Sequence, residues 1–295
     1  MSIVQEIKES FRQGSSLTRI IYINLAVFVI YNLIRVIFYL GGNPLGSSLT
    51  VYLAVPANPG NLLLKPWTII TYMFFHEDFL HILFNLLWLF WFGKIFLEYL
   101  SDKVLTGVYI LGGVSGAAMF ILFYNLFSVF ENASYEAIAL GASASVLAIV
   151  VAISTLKPNY TIYLLFIGPV KLKYLALFTV LLDVVSIPVT NAGGHIAHLG
   201  GALFGYLYII LFRQGYDLVK PVSWLIDRFN RINQPKSRLR VNYRKTETDY
   251  EYKSRKANEQ VRIDTILDKI SKTGYDSLTK EEKDALFRMK DNSVN

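Results

Sequence analysis

Residues 140–157 read LGASASVLAIVVAISTLK, a stretch in which every residue before Lys157 is uncharged and most are apolar. Its length is close to the roughly 20 apolar residues that an α-helix needs to cross a bilayer. Stretches of the same kind occupy residues 20–40, 79–99, 104–128, 172–188 and 195–213. We therefore expect an all-α, polytopic membrane protein, in which a bundle of six transmembrane helices is followed by a small cytosolic helical tail.

The composition supports a membrane domain and excludes several kinds of site. Charged residues make up 17% of the chain, against roughly 25% in soluble domains. The chain has no cysteine, which rules out disulfides, thiolate nucleophiles and cysteine-bound metals. Its four histidines have no clustered carboxylates, so we expect no metal and no cofactor. The net charge of +7 comes mainly from the tail, and beside a membrane domain it indicates attraction to an anionic lipid surface rather than nucleic-acid binding.

The distribution of lysine and arginine predicts the orientation of the chain. These residues concentrate before the first span, after the second and fourth spans, and after the sixth. Both termini are therefore predicted to be cytosolic. The predicted regions are a cytosolic N-terminal segment (1–19), a six-helix membrane domain (20–213), a basic juxtamembrane amphipathic helix with a linker (214–257) and a small helical hairpin (258–295).

Four polar residues fall at one predicted depth in the membrane. In this orientation, spans two, four and six all begin on the outer side. His81 and Asn85 lie near the start of span two, Ser143 near that of span four, and His198 near that of span six. Because a helix rises 1.5 Å per residue, each group is within roughly 10 Å of the outer interface. Ionisable groups inside a bilayer are costly, so this clustering indicates a functional site.

These residue types suit acyl transfer. Ser143 is the candidate nucleophile, and a neutral His198 is the candidate general base. The backbone N–H of Ser143 and the side chains of His81 and Asn85 are candidate donors to an oxyanion. The small residues that would let spans four and six approach closely are Gly141, Ala142, Ala144, Gly200, Gly201 and Gly205.

Each of these residues also has a plainer structural interpretation. A serine among small residues in a membrane helix is most often a packing residue, and a glycine pair is only a packing motif. We interpret His76 as a loop or orienting residue and not as a catalyst. For Asp183, partnership with a neighbouring group is the favoured interpretation, and orientation of a histidine is the less favoured one.

Three sequence blocks together resemble one protein family. The blocks His76-x4-His81-x3-Asn85, Gly141-Ala142-Ser143 and Ala197-His198-Leu199-Gly200-Gly201 are similar to those of the rhomboid intramembrane serine proteases. The resemblance implies cleavage of single-pass membrane proteins in or near their transmembrane segments by a Ser143–His198 dyad without a carboxylate. It also implies an oxyanion hole at His81 and Asn85, lateral substrate entry near spans two and five, and a location in a bacterial inner membrane.

Three residues depart from the pattern of that family. Ala144 stands where a glycine usually follows the nucleophile, Thr68 where an arginine is usual, and Leu147 where an aromatic residue often stacks on the catalytic histidine. We expect altered packing at the oxyanion site without loss of activity. His198 would then be oriented by packing, or by His195 one turn away.

Two other functions stay open at this point. A non-catalytic adaptor that binds transmembrane clients would fit the three departures. A transporter or channel predicts polar residues through the full depth of the bilayer, whereas here they gather at one end of the spans. The oligomeric state is left open.

Overall fold

The computed structural model describes residues 2–42, 49–165, 167–233 and 248–292. The helices are α1 (Ile3–Gln13), α2 (Ser16–Leu40), α3 (Thr50–Leu53), α4 (Pro59–Leu64), α5 (Thr68–Thr71), α6 (Phe79–Leu97), α7 (Asp102–Leu126), α8 (Ser143–Leu156), α9 (Leu172–Ser186), α10 (Ala192–Arg213), α11 (Lys220–Asn233), α12 (Asp249–Thr273) and α13 (Lys280–Asn292). The strands are β1 (Val55–Pro56), β2 (Ile138–Ala139), β3 (Thr161–Leu164) and β4 (Gly168–Lys171). Single 3-10 turns span Tyr72–Phe74, Ser128–Phe130 and Tyr275–Ser277.

Six apolar helices occupy the six predicted stretches, which confirms the all-α polytopic fold. Within the described ranges, the helices α2, α6, α7 and α10 are long and apolar enough to cross a membrane. The apolar helix α8 is shorter, with 14 residues, and α9 has 15. At 1.5 Å per residue, α8 spans about 21 Å, less than the roughly 30 Å of a bilayer hydrocarbon core. Length alone therefore identifies four of the six predicted spans.

Local capping signals set where two of the long helices begin. The side chain of Ser15 accepts a hydrogen bond from the backbone N–H of Thr18 at the start of α2. Asn191, in the left-handed conformation at φ 44°, accepts one from Gly194 at the start of α10. Such caps satisfy backbone donors that have no acceptor inside the helix.

Helix α8 lies at the centre of the bundle. Every residue from Ala144 to Ile153 is buried, as is Ser154, and α6, α7, α9 and α10 pack around it. The contact with α10 is close, because a methyl group at Gly201 or Gly205 would overlap the backbone of Ala144 or Ala148 respectively. Ser143, the first residue of this central helix, is half-buried.

The long first loop is held by its own hydrogen bonds and by a strand pair with the segment before α8. Strand β1 pairs antiparallel with β2, which joins this loop to the segment just before α8. Thr71 donates its hydroxyl to the carbonyl of Leu53 at 2.8 Å, and the Trp67 indole donates to the carbonyl of Tyr52 at 2.9 Å. Between α8 and α9, strands β3 and β4 form a second antiparallel pair.

The chain divides into two compact units, Met1–Gln234 and Pro235–Asn295. In the first unit, α11 is tied to α7 by a 2.8 Å ion pair between Lys103 and Asp227.

In the second unit, α12 and α13 are joined by Lys269, whose ammonium group lies 3.0 Å from both carboxylate oxygens of Glu282. Helix α12 begins at Asp249, earlier than the predicted hairpin start at residue 258, because Thr248 and Glu251 form a capping box. The part of the predicted linker at 234–247 lies outside the described residues.

Candidate active site

Ser143 is the first residue of α8, and the turn before it is held by the first loop. The N–H of Gly141 donates to the carbonyl of Tyr72 at 2.9 Å. The N–H of Ala142 donates to His76 Nε2 at 3.1 Å. Gly141 has φ 117°, a conformation that residues with a side chain rarely adopt. The chain therefore presents Ser143 from a fixed turn.

His76 is a buried acceptor in this turn. Its ring is completely buried, and burial lowers its pKa from 6.5 to about 3. The ring is therefore neutral, and because Nε2 accepts from Ala142 the ring proton lies on Nδ1. His76 lies where an orienting residue was expected.

Asn85 contacts its neighbours and also lines the cavity beside Ser143. Its amide nitrogen donates to the carbonyl of His81 at 3.1 Å and lies 3.2 Å from His76 Nε2. The neutral His76 Nε2 has one lone pair, so the Ala142 N–H and the Asn85 amide share it. The oxyanion role expected of Asn85 stays a prediction, beside its observed contact with His76.

His81 lies beside the nucleophile. A methyl group built on Gly141 would lie 2.9 Å from His81 Nε2 and 3.6 Å from Ser143 Oγ. The imidazole edge therefore rests against the glycine turn next to the hydroxyl. His81, Asn85 and the Ser143 N–H, which all belong to residues lining one cavity, stay candidate oxyanion donors. The N–H of a first-turn residue has no acceptor within its own helix.

One cavity of about 540 Å³ connects the expected residues. It lies between α6, α8, α9 and α10, and its lining includes Ser143, His81, Asn85, His195 and His198. Among the described residues, no hydrogen bond joins Ser143 Oγ to a ring nitrogen of His198. Catalytic hydrogen bonds are often long in ligand-free structures and shorten when substrate is bound.

The carboxylate of Asp183 lies against the candidate base. Orientation of a histidine was the less favoured interpretation of this residue. Asp183 of α9 accepts hydrogen bonds at its Oδ1 from His198 Nδ1 and from His195 Nδ1, both at 2.8 Å. The two imidazole rings are nearly perpendicular, at 87°. This corrects the expectation that His198 is oriented by packing or by His195. One feature of the sequence indicated that Asp183 would have a partner. Asp183 is an acidic residue inside a predicted span, where an unpaired charge is costly.

The same three residues are the group that could hold a metal ion within the described part of the chain. The ligand atoms of Asp183, His195 and His198 lie within 4.8 Å of one another. A tetrahedral zinc ion with Zn–N distances near 2.0 Å would separate its ligand atoms by about 3.3 Å. The observed 2.8 Å contacts are instead normal lengths for charge-assisted hydrogen bonds.

The departures at Ala144, Thr68 and Leu147 fall in different environments. A Cβ on Gly116 of α7 would lie 2.6 Å from the Ala144 methyl group, so that methyl packs between helices and does not line the cavity. Thr68 is buried and donates its hydroxyl to the carbonyl of Lys65 at 2.7 Å. Leu147 lines the cavity, but its aliphatic side chain cannot stack on His198.

The remaining small residues lie at helix contacts. Ala142 is completely buried in the turn before α8. Gly200 faces α7, because a Cβ there would lie 2.6 Å from the carbonyl oxygen of Ser115. That contact is reinforced by Ser115 Oγ, which donates to the carbonyl of Gly200 at 2.9 Å.

The chain is similar in sequence to known protein families and to curated relatives. The Rhomboid domain matches residues 64–215, and a family of unknown function, DUF6576, matches residues 246–289. The chain is 29% identical over 157 residues to RHOMBOID-like protein 12, mitochondrial, of Arabidopsis thaliana, covering 50% of this chain and 47% of that protein. It is 27% identical over 161 residues to RHOMBOID-like protein 5 of the same plant, covering 52% and 47%. The chain spans about half the length of these curated relatives.

Proposed function

Because the chain belongs to the rhomboid family, we propose that it is an intramembrane serine endopeptidase that cleaves membrane proteins in or near their transmembrane segments. Its spanning helices make it an integral membrane protein. The observation that carries the proposal is the shared cavity that is lined by Ser143, His81 and His198 together. A nucleophile, an oxyanion donor and a base at one recessed place are the minimum that acyl transfer requires.

The proposed reaction proceeds through an acyl-enzyme. His198 Nε2 accepts the Ser143 proton as Oγ attacks the carbonyl carbon of the scissile peptide. The Ser143 N–H and His81 donate hydrogen bonds to the oxyanion of the tetrahedral intermediate. His198 then gives its proton to the departing amine, and the C–N bond breaks. Water, deprotonated by His198, hydrolyses the ester and restores Ser143.

The cavity walls support substrate entry from the lipid. Leu80 and Phe84 of α6 line one side and are 63% and 59% exposed, and Leu182 of α9 lines the other and is 45% exposed. Apolar side chains at the mouth of the cavity suit a transmembrane helix arriving through the bilayer. The proposed partners are single-pass membrane proteins and the surrounding lipid. The proposed location is a bacterial inner membrane with both termini cytosolic.

The direct test compares two serine variants in proteoliposomes with a model single-pass substrate. Ser143→Ala is expected to abolish cleavage and labelling by a fluorophosphonate, because it removes the nucleophile. The matched control is Ser145→Ala, which removes a buried hydroxyl without a hydrogen-bond partner from the same helix and is expected to keep both. Cleavage by Ser143→Ala at the wild-type rate would contradict the proposal.

One observation favours a second candidate, a non-catalytic adaptor for transmembrane clients. Within the described residues, Ser143 Oγ and the His198 ring share no hydrogen bond. An adaptor would bind the model substrate without turning it over and would leave Ser143 unlabelled. Crosslinking the substrate to the wild-type protein, followed over the same period as cleavage, separates the two functions.

A further inference from the structure

We propose that Asp183 is a positioning residue that completes a Ser143–His198–Asp183 triad, an inference that rests on the proposed protease function. The unit differs from the dyad that the sequence resemblance implies. Its third member comes from α9, a helix that contributes neither the nucleophile nor the base.

Asp183 holds His198 in one tautomer. An ionised carboxylate can only accept hydrogen bonds. The 2.8 Å contact between His198 Nδ1 and Asp183 Oδ1 therefore holds the proton on Nδ1. Nε2 is left with a lone pair, on a ring that lines the same cavity as Ser143. That is the tautomer a general base needs to take the serine proton.

Asp183 also acts on the charge that develops during the reaction. When His198 takes the serine proton, an imidazolium forms 2.8 Å from the carboxylate. The Asp183 side chain is only 10% exposed, and water screens such a pair weakly. Asp183 therefore stabilises the charge that develops in the transition state more than it stabilises the neutral ground state.

Asp183 is itself fixed in place by His195. His195 precedes His198 by three positions on α10, so the two share one helix face. Its Nδ1 gives the same carboxylate oxygen a second hydrogen bond at 2.8 Å. A buried carboxylate needs partners that replace water, and two imidazole donors supply them. His195 holds Asp183 in place and does not face the serine in this scheme.

The experiment uses the full-length protein in proteoliposomes and measures kcat and KM separately. Asp183→Asn is expected to lower kcat about 10²–10⁴-fold, as loss of a base or its tautomer control does, with little change in KM or thermal midpoint. Asp183→Glu is expected to recover part of kcat, because it restores the acceptor. His195→Gln is expected to lower kcat less than Asp183→Asn, because the Asp183–His198 contact remains.

A matched control removes a different hydrogen-bonded carboxylate. Asp217 accepts from Tyr208 Oη at 3.4 Å and from the N–H of Val219 at 3.1 Å, and it does not line the cavity. Asp217→Asn is expected to keep the wild-type kcat. A common loss of kcat in both asparagine variants would show a general cost of losing a carboxylate and would overturn the assignment.

The outcomes separate this inference from the proposed function. If the wild-type protein cleaves and Asp183→Asn cleaves equally fast, the triad is wrong and the protease function stands. If the wild-type protein neither cleaves nor reacts with fluorophosphonate, both are wrong. If a chelator stops wild-type cleavage and His195→Gln is as impaired as Asp183→Asn, the three residues hold a metal ion and the triad is overturned.

Discussion

The two sides of Ser143 are built in different ways. On the oxyanion side, His76 and Asn85 bond to each other and to backbone groups, and both are buried. On the base side, the rings of His195 and His198 are 21% and 24% exposed, and their shared acceptor Asp183 comes from α9, whose residues are mostly exposed or half-buried. One half of the site is therefore closely bonded and fixes the turn, whereas the other half is more open and faces the cavity.

The largest expected loss of activity comes from removing the general base. His198→Ala is expected to lower kcat by about 10⁴-fold or more, because loss of one member of a cooperative catalytic unit removes most of its effect. Cleavage of the model substrate and the rate of fluorophosphonate labelling both measure this. Labelling at the wild-type rate would mean that His198 does not activate Ser143.

A substitution in the glycine turn is expected to displace an oxyanion donor. Gly141→Ala would place a methyl group 2.8 Å from His81 Cε1 in a backbone at φ 117°. Displacement of an oxyanion donor is expected to lower kcat about 10²–10³-fold. The measurement is kcat for the model substrate.

The control for this change is Gly168→Ala. Gly168 also has a positive φ, at 92°, but a methyl group there meets nothing within 4 Å. It is expected to cost stability of about 1–3 kcal/mol through backbone strain while kcat is retained. Equal losses of kcat in the two variants would show that strain, and not the contact with His81, is responsible.

The distance between the two sides can be changed through the contact of α8 with α10. Gly201→Ala would push its methyl group into the backbone of Ala144 and move His198 relative to Ser143. A misplacement of about 1 Å can cost about 10²-fold in rate, so a loss of kcat up to that size is expected. Gly215→Ala, where a methyl group meets open space at φ 91°, carries backbone strain but no contact between helices and is expected to keep the wild-type rate.

The last expected effect is on stability and not on rate, and it acts through His76. Burial holds the pKa of folded His76 at about 3, below its ordinary 6.5. Between these two pH values the unfolded chain binds a proton at His76 that the folded protein does not. The stability present above pH 6.5 is therefore lost as the pH falls from 6.5 towards 3. The thermal midpoint of wild-type protein in detergent is expected to fall more steeply over this range than that of His76→Gln. Parallel curves would contradict the burial argument.

Much of the site could be predicted from the sequence because of its chemistry. Ionisable groups in apolar helices are costly, and this cost marks His198 and His81 as candidates. Ser143 becomes a candidate because it falls at the same predicted depth. The Rhomboid domain match confirms the family resemblance. The same cost applies to Asp183, but the sequence contains no distance between α9 and α10. The start of α12 is also encoded locally, because Thr248 and Glu251 have the spacing of a capping box, whereas apolar spacing alone predicts a later start.

The sequence by itself determined the apolar stretches, their order and the polar residues placed within them, because hydrophobic length and cost of burial are local properties. Only the tertiary structure decided which side chains meet. A helix turns about 100° per residue, so a small rotation of α9 decides whether Asp183 faces His198 or lipid. Likewise, only the folded chain brings the Asn85 amide nitrogen within 3.2 Å of His76 Nε2, because the two residues lie on different elements of the fold.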